Sequence, residues 1–326
     1  MNILVTGGAG YVGSCAARRL VDAGHRVVSY DNLSTGHRWA VLNSELVVGD
    51  VADQRLLTKT LLEHEIEIVM HFAAYSEVGE SVRDPLNYYM NNTRNAVNLL
   101  VACEHAGVNR FVFSSTAAVY GQPQEMPIPE SAVPAPVNPY GASKVAVERM
   151  LADLSAAGRV RYVSLRYFNA AGASPDARIG EWHTPETHLI PLLLQAASGR
   201  RDKFTIFGTD YATPDGTCIR DFIHIEDIAT AHRRAAEYLH AGGESTVLNC
   251  GYGRGFSVRE VVEAARSVSG VDIPVEHTVR RLGDPPVLVA DNRKIREVLS
   301  WVPEFDDLDT IIRHSWAWEQ RMGYDE

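Results

Sequence analysis

Along the first half of the chain, short apolar runs alternate with stretches of helical periodicity. Asn2 to Thr6 reads as a buried strand, and Tyr11 to Ala23 as a helix that Gly24 stops. Arg26 to Tyr30 is a second strand ending at Asp31, and Leu46 to Val48 is a third, followed by Gly49-Asp50-Val51. A helix over Gln54 to His64 leads into a fourth strand, Ile66 to Phe72, an almost unbroken apolar run. A long helix follows from Tyr88 to Ala106, then a fifth strand from Arg110 to Ser114, a helix over 139–156 and a sixth strand from Arg161 to Arg166. Apolar strands separated by helices predict βαβ units, and hence an α/β architecture whose parallel sheet is covered on both faces.

After Asn169 the pattern loses this regularity. Residues 170–187 are rich in Gly, Ala, Pro and polar groups and read as a long loop, beyond which short helices and strands alternate irregularly. The expected division is a first lobe over 1–169 and a smaller α/β second lobe over 170–326, with a strand and helix near 221–240 returning to the first. A chain of 326 residues exceeds the size at which one core usually stops growing.

Composition narrows the class of function. The net charge of −10 argues against a general nucleic-acid binder and against an anionic membrane surface. No basic leader and no apolar run of membrane-spanning length is present, so a cytoplasmic protein is expected. Cys15, Cys103, Cys218 and Cys250 are scattered without a CxxC pair, which supports reduced thiols rather than disulfides or a zinc site.

Two local patterns carry chemistry. Gly7, Gly10 and Gly13 form G-x-x-G-x-x-G between a strand and a helix, where the backbone must approach a pyrophosphate and the helix N-terminus must face it. Asp31, at the end of the next strand, suits a ribose 2′-hydroxyl and repels a 2′-phosphate, which favours NAD over NADP. Asp50-Val51 is placed either to meet an adenine edge or to cap the helix from Gln54. Phe72-Ala73-Ala74 ends the fourth strand with residues small enough to let a dinucleotide pass. Further along, Tyr140 and Lys144 stand four apart on one helix face, so the ammonium is expected to favour the phenolate and lower the tyrosine pKa towards a useful general base.

Together with His71-Phe72-Ala73-Ala74, Val78-Gly79-Glu80-Ser81, Ser114-Ser115-Thr116, Arg166-Tyr167-Phe168-Asn169 and Asp215 to His224, these motifs resemble the extended short-chain dehydrogenase/reductase family, over nearly the whole chain. More narrowly, they resemble its members that invert nucleotide sugars at C4. The resemblance implies a Rossmann-type doubly wound sheet, tightly held NAD, a UDP-hexose (UDP-galactose or UDP-glucose) as substrate, and a homodimer joined through the helices at about 88–106 and 139–156. It makes Tyr140 the base and Lys144 its partner, the latter also holding the nicotinamide ribose. Thr116 is the hydroxyl on the sugar O4. It places the cofactor against Gly7, Gly10, Tyr11, Val12 and Gly13, against Asp31, Asn32, Asp50 and Val51, and against Phe72, Ala73, Ala74, Ser76, Asn91, Ser114 and Tyr167. On the substrate side it assigns Asn169, His188 and Leu189 to the diphosphosugar, Thr205 and Phe207 to the uracil, Arg220 and Arg281 to the diphosphate, and Asp284 to the uridine ribose.

Two positions depart from the family pattern. Ser76 stands where some relatives have a lysine near the cofactor, and Leu288 where some have a tyrosine crowding the sugar 2-substituent. The smaller Leu288 leaves room for an N-acetylhexosamine. A 4,6-dehydratase needs an added acid and base just after the catalytic Ser or Thr, but Ala117 and Ala118 cannot transfer protons. The same absence weighs against a decarboxylase. An ordinary alcohol dehydrogenase, an epimerase of another UDP-sugar (a pentose or uronate included) and a silent NAD-binding scaffold are the remaining alternatives.

Overall fold

The computed structural model describes residues 1–281 and 284–322. In the first half the elements run β1 (Asn2–Thr6), α1 (Tyr11–Asp22), β2 (Arg26–Asp31), β3 (Glu45–Val48), α2 (Gln54–Glu63), β4 (Ile68–His71), α3 (Val78–Arg83), α4 (Pro85–Tyr88), α5 (Asn95–Ala106), β5 (Arg110–Thr116), α6 (Pro139–Ala156) and β6 (Arg161–Tyr167). The second half contains β7 (Asn169–Ala171), α7 (Leu189–Ala197), β8 (Phe204–Phe207), β9 (Ile219–Arg220), β10 (Phe222–His224), α8 (Ile225–His240), β11 (Thr246–Cys250), β12 (Phe256–Ser257), α9 (Val258–Ser269), β13 (Val275–Thr278), β14 (Val287–Leu288), α10 (Arg293–Leu299) and α11 (Leu308–Met322).

A seven-stranded parallel sheet in the order β11-β6-β5-β4-β1-β2-β3 forms the centre. Alternate residues of each strand point to opposite faces. Ile3, Val5, Ile68, Met70 and Val112 pack with α1 and α8 through Ala17, Leu20, Ile228 and Ala231. Leu4, Val69, Phe111 and Phe113 pack on the other face with Leu57, Leu61, Leu99, Val147 and Leu151 of α2, α5 and α6. Burial on both faces explains why these strands read as apolar runs rather than as alternating ones.

The strand order reverses between β1 and β4, which opens a crevice beyond their carboxyl ends where ligands bind in such sheets. In the 221–240 segment β10 pairs with β7, and α8 packs against the sheet beside α1. Beyond it, β11 adds a seventh strand at the edge of β6, a pairing that the 221–240 segment did not include. The helix expected from Tyr88 to Ala106 is interrupted by a wide π turn over Tyr89–Arg94. In the second lobe β8 pairs with β13, and β9 lies between β12 and β14 in a small sheet. Asp221, fully buried between β9 and β10, accepts the amides of Tyr252 at 2.9 Å, Gly253 at 3.0 Å and Ala290 at 3.2 Å, and so ties this sheet to the end of β11. Burial pushes its carboxyl up to about 6, against the pull of those amides. Among the described residues no helix is long and apolar enough to cross a membrane.

Candidate active site

The glycine loop follows β1 and leads into α1. Gly7 has φ +72°, and a side chain there would lie 2.6 Å from the Ala73 backbone nitrogen, so β1 and β4 turn away from each other at van der Waals limits. At Gly13 a Cβ would meet the Gly7 carbonyl oxygen at 2.1 Å, which only glycine relieves. Gly10 caps α1 without a side-chain acceptor, and the first turn of the helix carries no acid. The free amides and the positive end of the helix dipole are therefore left for an anion. The Tyr11 phenol donates to the Gly172 carbonyl at 2.6 Å and joins this turn to the loop after β7, while Val12 packs inward.

Asp31 accepts the Ala9 amide at 3.0 Å and the Leu33 amide at 2.8 Å, which fixes its carboxylate beside the glycine loop. Asn32 donates to Asp50 at 2.8 Å. Asp50 does not cap α2: it accepts the Ala52 amide, and Asp53 caps the helix through the Leu56 amide at 2.9 Å. Val51 is buried next to the core formed by α2. The crevice thus has small residues at its floor, anion-facing amides on one side and the Asp31 carboxylate beside the glycine loop, and these residues fit NAD.

Thr116 ends β5 and accepts the Ala118 amide at 3.1 Å, starting a tight turn over Ala117–Tyr120. Asn138 caps α6 by accepting the Gly141 amide at 2.8 Å, and Pro139 opens its first turn. A Cβ at Gly141 would lie 2.5 Å from the Ala118 carbonyl oxygen, so α6 docks directly on the turn after Thr116. This close approach brings the Tyr140 phenol near the Thr116 side chain, which pulls the phenol pKa down. Lys144, one turn later and 3% exposed, donates to the Ser114 carbonyl at 2.9 Å and lies 5.0 Å above the Phe113 ring. The Ser114 hydroxyl meets the Tyr167 phenol at 2.8 Å, because Ser114 and Tyr167 lie two residues apart in register on β5 and β6.

Electrostatics correct one expectation. Burial raises the Tyr140 pKa well above its ordinary value, Tyr167 adds to the rise, and the Thr116 side chain opposes it. Burial also pushes the Lys144 ammonium down to about 7, with partial compensation from Glu148. Desolvation therefore outweighs the charge pairing expected from the four-residue spacing.

Several contributors were not apparent in the sequence. Glu148 is 7% exposed and accepts Ser115 at 2.6 Å and the Arg166 guanidinium at 2.6 and 2.9 Å; Arg166 then donates to the Tyr120 hydroxyl at 2.9 Å. This buried network braces β5, β6 and α6 around the Tyr140–Lys144 pair. Asn92, displaced by the π turn, donates to Ser143 at 3.1 Å and exchanges hydrogen bonds with the backbone of Tyr75, while the neighbouring Asn91 donates to it at 3.0 Å. Its signal was limited to a polar residue in a helical pattern. The Phe72 ring packs at a tilt against His232, centroids 4.5 Å apart, Ala73 and Ala74 line the turn after β4, and Ser76 is exposed.

The expected substrate residues come together only in part. Arg220 donates to Asp284 at 2.7 Å, and Leu288 is its register partner across β9 and β14. Leu288 is half-buried against the cluster of Ala117, Tyr120 and Phe168, which brings it beside the turn that follows Thr116. Arg281 lies 4.0 Å over the Phe207 ring. Thr205 donates to Glu276 at 2.9 Å, and Asn169 is exposed. His188 is the exception. Its Nδ1 faces Glu181 at 2.9 Å and Glu186 at 3.1 Å, and its Nε2 faces Glu77 at 3.7 Å, so carboxylates surround the ring that was expected to receive a phosphate. Burial opposes its charge, but Glu181, Glu186 and Glu77 together hold its pKa up to about 11. Leu189, the next residue, begins α7.

Residues 3–251 match the model of the NAD dependent epimerase/dehydratase family. The UDP-glucose 4-epimerase of Rhizobium leguminosarum bv. trifolii is 51% identical over 321 residues, covering 98% of each chain. The crystal structure of UDP-glucose 4-epimerase from Brucella ovis in complex with NAD superposes with a TM-score of 0.95 at 48% identity, over 97% of each chain. That of UDP-glucose-4-epimerase from Stenotrophomonas maltophila, with bound NAD and formylated UDP-arabinopyranose, superposes at 0.97 with 39% identity over the full length of both.

Proposed function

This chain belongs to the NAD dependent epimerase/dehydratase family, and from that premise we propose that it interconverts UDP-galactose and UDP-glucose as an NAD-dependent 4-epimerase. The observation that carries the reading is the docking of Tyr140 beside Thr116, with Lys144 one turn away and alanines, Ala117 and Ala118, in the turn after Thr116. Bound NAD supplies reversible hydride transfer at C4. Tyr140 takes the proton from the sugar 4-hydroxyl as the C4–H bond breaks, and returns a proton when the hydride comes back to the other face of the 4-keto sugar. The proton and hydride removed are both restored, so no net oxidation results. Thr116 holds O4 and passes the proton, since its hydroxyl both donates and accepts. Lys144, when charged, draws the phenol towards phenolate and offsets the burial that otherwise keeps it protonated. With Ala117 and Ala118 unable to move protons, elimination from the 4-keto sugar lacks the acid and base that a dehydratase carries just after its Ser or Thr.

Arg220 and Arg281 receive the diphosphate, Asp284 the uridine ribose, and Thr205 with Phe207 the uracil; Asn169 and Leu189 border the sugar. A forked guanidinium matches phosphate oxygens, and the Arg220–Asp284 pair holds that fork in place before substrate arrives. The half-buried Leu288 favours a second substrate class, the UDP-N-acetylhexosamines, because it leaves space near Ala117 that a tyrosine would fill. Purification without added cofactor, followed by assay of bound NAD and conversion of UDP-galactose, tests the reading. UDP-glucose forming without free NADH is the expected result. NADH accumulating with a keto or acid product means a dehydrogenase instead.

A homodimer follows from the same reading. Leu86, Met90 and Val97 are exposed along α4, the π turn and α5, with Tyr89 beside them, and form an apolar stripe suited to a second copy. Light scattering reads a mass of two chains, and Met90→Glu lowers it. Cys103 is buried in α5, where burial pushes its thiol up to about 12, in keeping with a packing role.

A further inference from the structure

We infer that the loop between β7 and α7 carries a site for a single divalent cation of the zinc class, built by Glu181, His183, Glu186 and His188. One ligand atom from each of the four lies within 4.8 Å of every other. His188 Nδ1 is 2.9 Å from Glu181 and 3.1 Å from Glu186, while His183 Nδ1 is 3.6 Å from Glu181 and 3.4 Å from the other Glu186 oxygen. Two imidazole nitrogens therefore alternate with two carboxylates around a common centre. With metal–ligand bonds of about 2.0–2.1 Å, a tetrahedral ion separates its ligand atoms by about 3.4 Å. The observed separations bracket that spacing, so modest relaxation places an ion between them.

A second observation points the same way. His183 Nδ1 is buried and makes no hydrogen bond, although it is directed at both carboxylates. The Glu181 and Glu186 side chains are themselves 9% and 5% exposed, and an ion here replaces the imidazolium charge of His188 as the ring proton leaves. A donor set of two nitrogens and two oxygens favours zinc over calcium or magnesium, which prefer all-oxygen shells of higher coordination number.

The location gives the site a purpose. Thr187 donates to Glu77, the residue that follows Ser76, and Glu77 Oε1 is a buried oxygen without a hydrogen-bond partner facing His188. An ion here staples the 181–188 loop beside the segment after β4 and neutralises carboxylates at the edge of the crevice. Its role is to hold the loop, since the reaction itself requires no metal.

The test is equilibrium dialysis of the NAD-loaded protein against zinc, with metal content read by elemental analysis. One zinc per chain is expected, together with a tetrahedral cobalt(II) absorption on substitution and a Tm that rises with zinc concentration. His183→Gln and Glu186→Gln are each expected to weaken retention at least tenfold, with far-UV circular dichroism unchanged. Absence of stoichiometric zinc in the wild-type protein overturns the proposal, as does retention in both variants equal to that of the wild type. Equal response to magnesium overturns the assignment to the zinc class.

Discussion

The two groups of candidate ligand-binding residues are built differently. At the first lobe, Thr116, Tyr140 and Lys144 sit within one β5–turn–α6 unit, fixed by an Asn138 cap, a glycine contact at Gly141 and the Glu148–Arg166 network. At the second lobe, Arg220, Arg281, Asp284 and Leu288 come from short strands and loops whose mutual position depends on β9, β14 and the buried Asp221. The first is a rigid local device, in which burial dominates the electrostatics. The second is an assembly of a buried arginine, Arg220, with exposed and half-exposed charges, held by pairing, where individual changes are expected to shift binding rather than chemistry.

The sharpest way to break this contrast is at Tyr140. Tyr140→Phe removes the proton acceptor and is expected to lower kcat for UDP-galactose by about 10²–10⁴-fold while Tm stays near that of the wild type. A variant that kept full turnover would remove the tyrosine from the chemistry. Next in size is Arg220→Lys, which loses the fork but keeps the charge. Loss of one charged hydrogen bond, about 1.5–3 kcal/mol, predicts a rise in KM of about tenfold or more with kcat little changed. A fall in kcat alone would place Arg220 with the chemical step and blur the distinction between the lobes. Leu288→Tyr should then lower kcat/KM for UDP-GalNAc relative to UDP-galactose by roughly tenfold, the scale set by a small change in an apolar pocket. An unchanged ratio means that Leu288 does not border the sugar 2-substituent.

The smallest effect concerns Lys144 and pH. Its ammonium titrates near 7 in the folded chain against 10.5 for an ordinary lysine. Between those values the unfolded chain holds a proton that the folded chain lacks, so the contribution of this group to the stability of the cofactor-free protein rises as pH increases through the window. The slope approaches about 1.4 kcal/mol per pH unit at most. Thermal denaturation from pH 6.5 to 8.5 should show a rise of a few degrees that is absent in Lys144→Met. An identical pH dependence in both proteins would mean that the lysine is not desolvated as the structure places it.

Much of the first lobe was legible in the chain. β1 was expected over Asn2–Thr6 and is found there, and the ends of α1 and α6 fall within a residue of expectation. These elements obey local rules: apolar runs between glycines, a proline at the first helical position, an asparagine cap. The π turn at 89–94 was not legible, because its spacing differs from that of a regular helix by one residue and is set by the Asn92 contacts with Tyr75 and Ser143. Nor was the approach of Glu77 to His188, because the two lie more than 100 residues apart in sequence.

The sequence by itself determined the strand and helix order, the glycine turn, the acid at the end of β2 and the Tyr140–Lys144 spacing, since each depends on residues within a few positions of one another. Only the tertiary structure decided the protonation balance of that pair, the partners of His188 and Arg220, and the edge position of β11. Those depend on burial and on distances between segments remote in the chain, and a change in desolvation from such packing outweighs what helical spacing alone supplies.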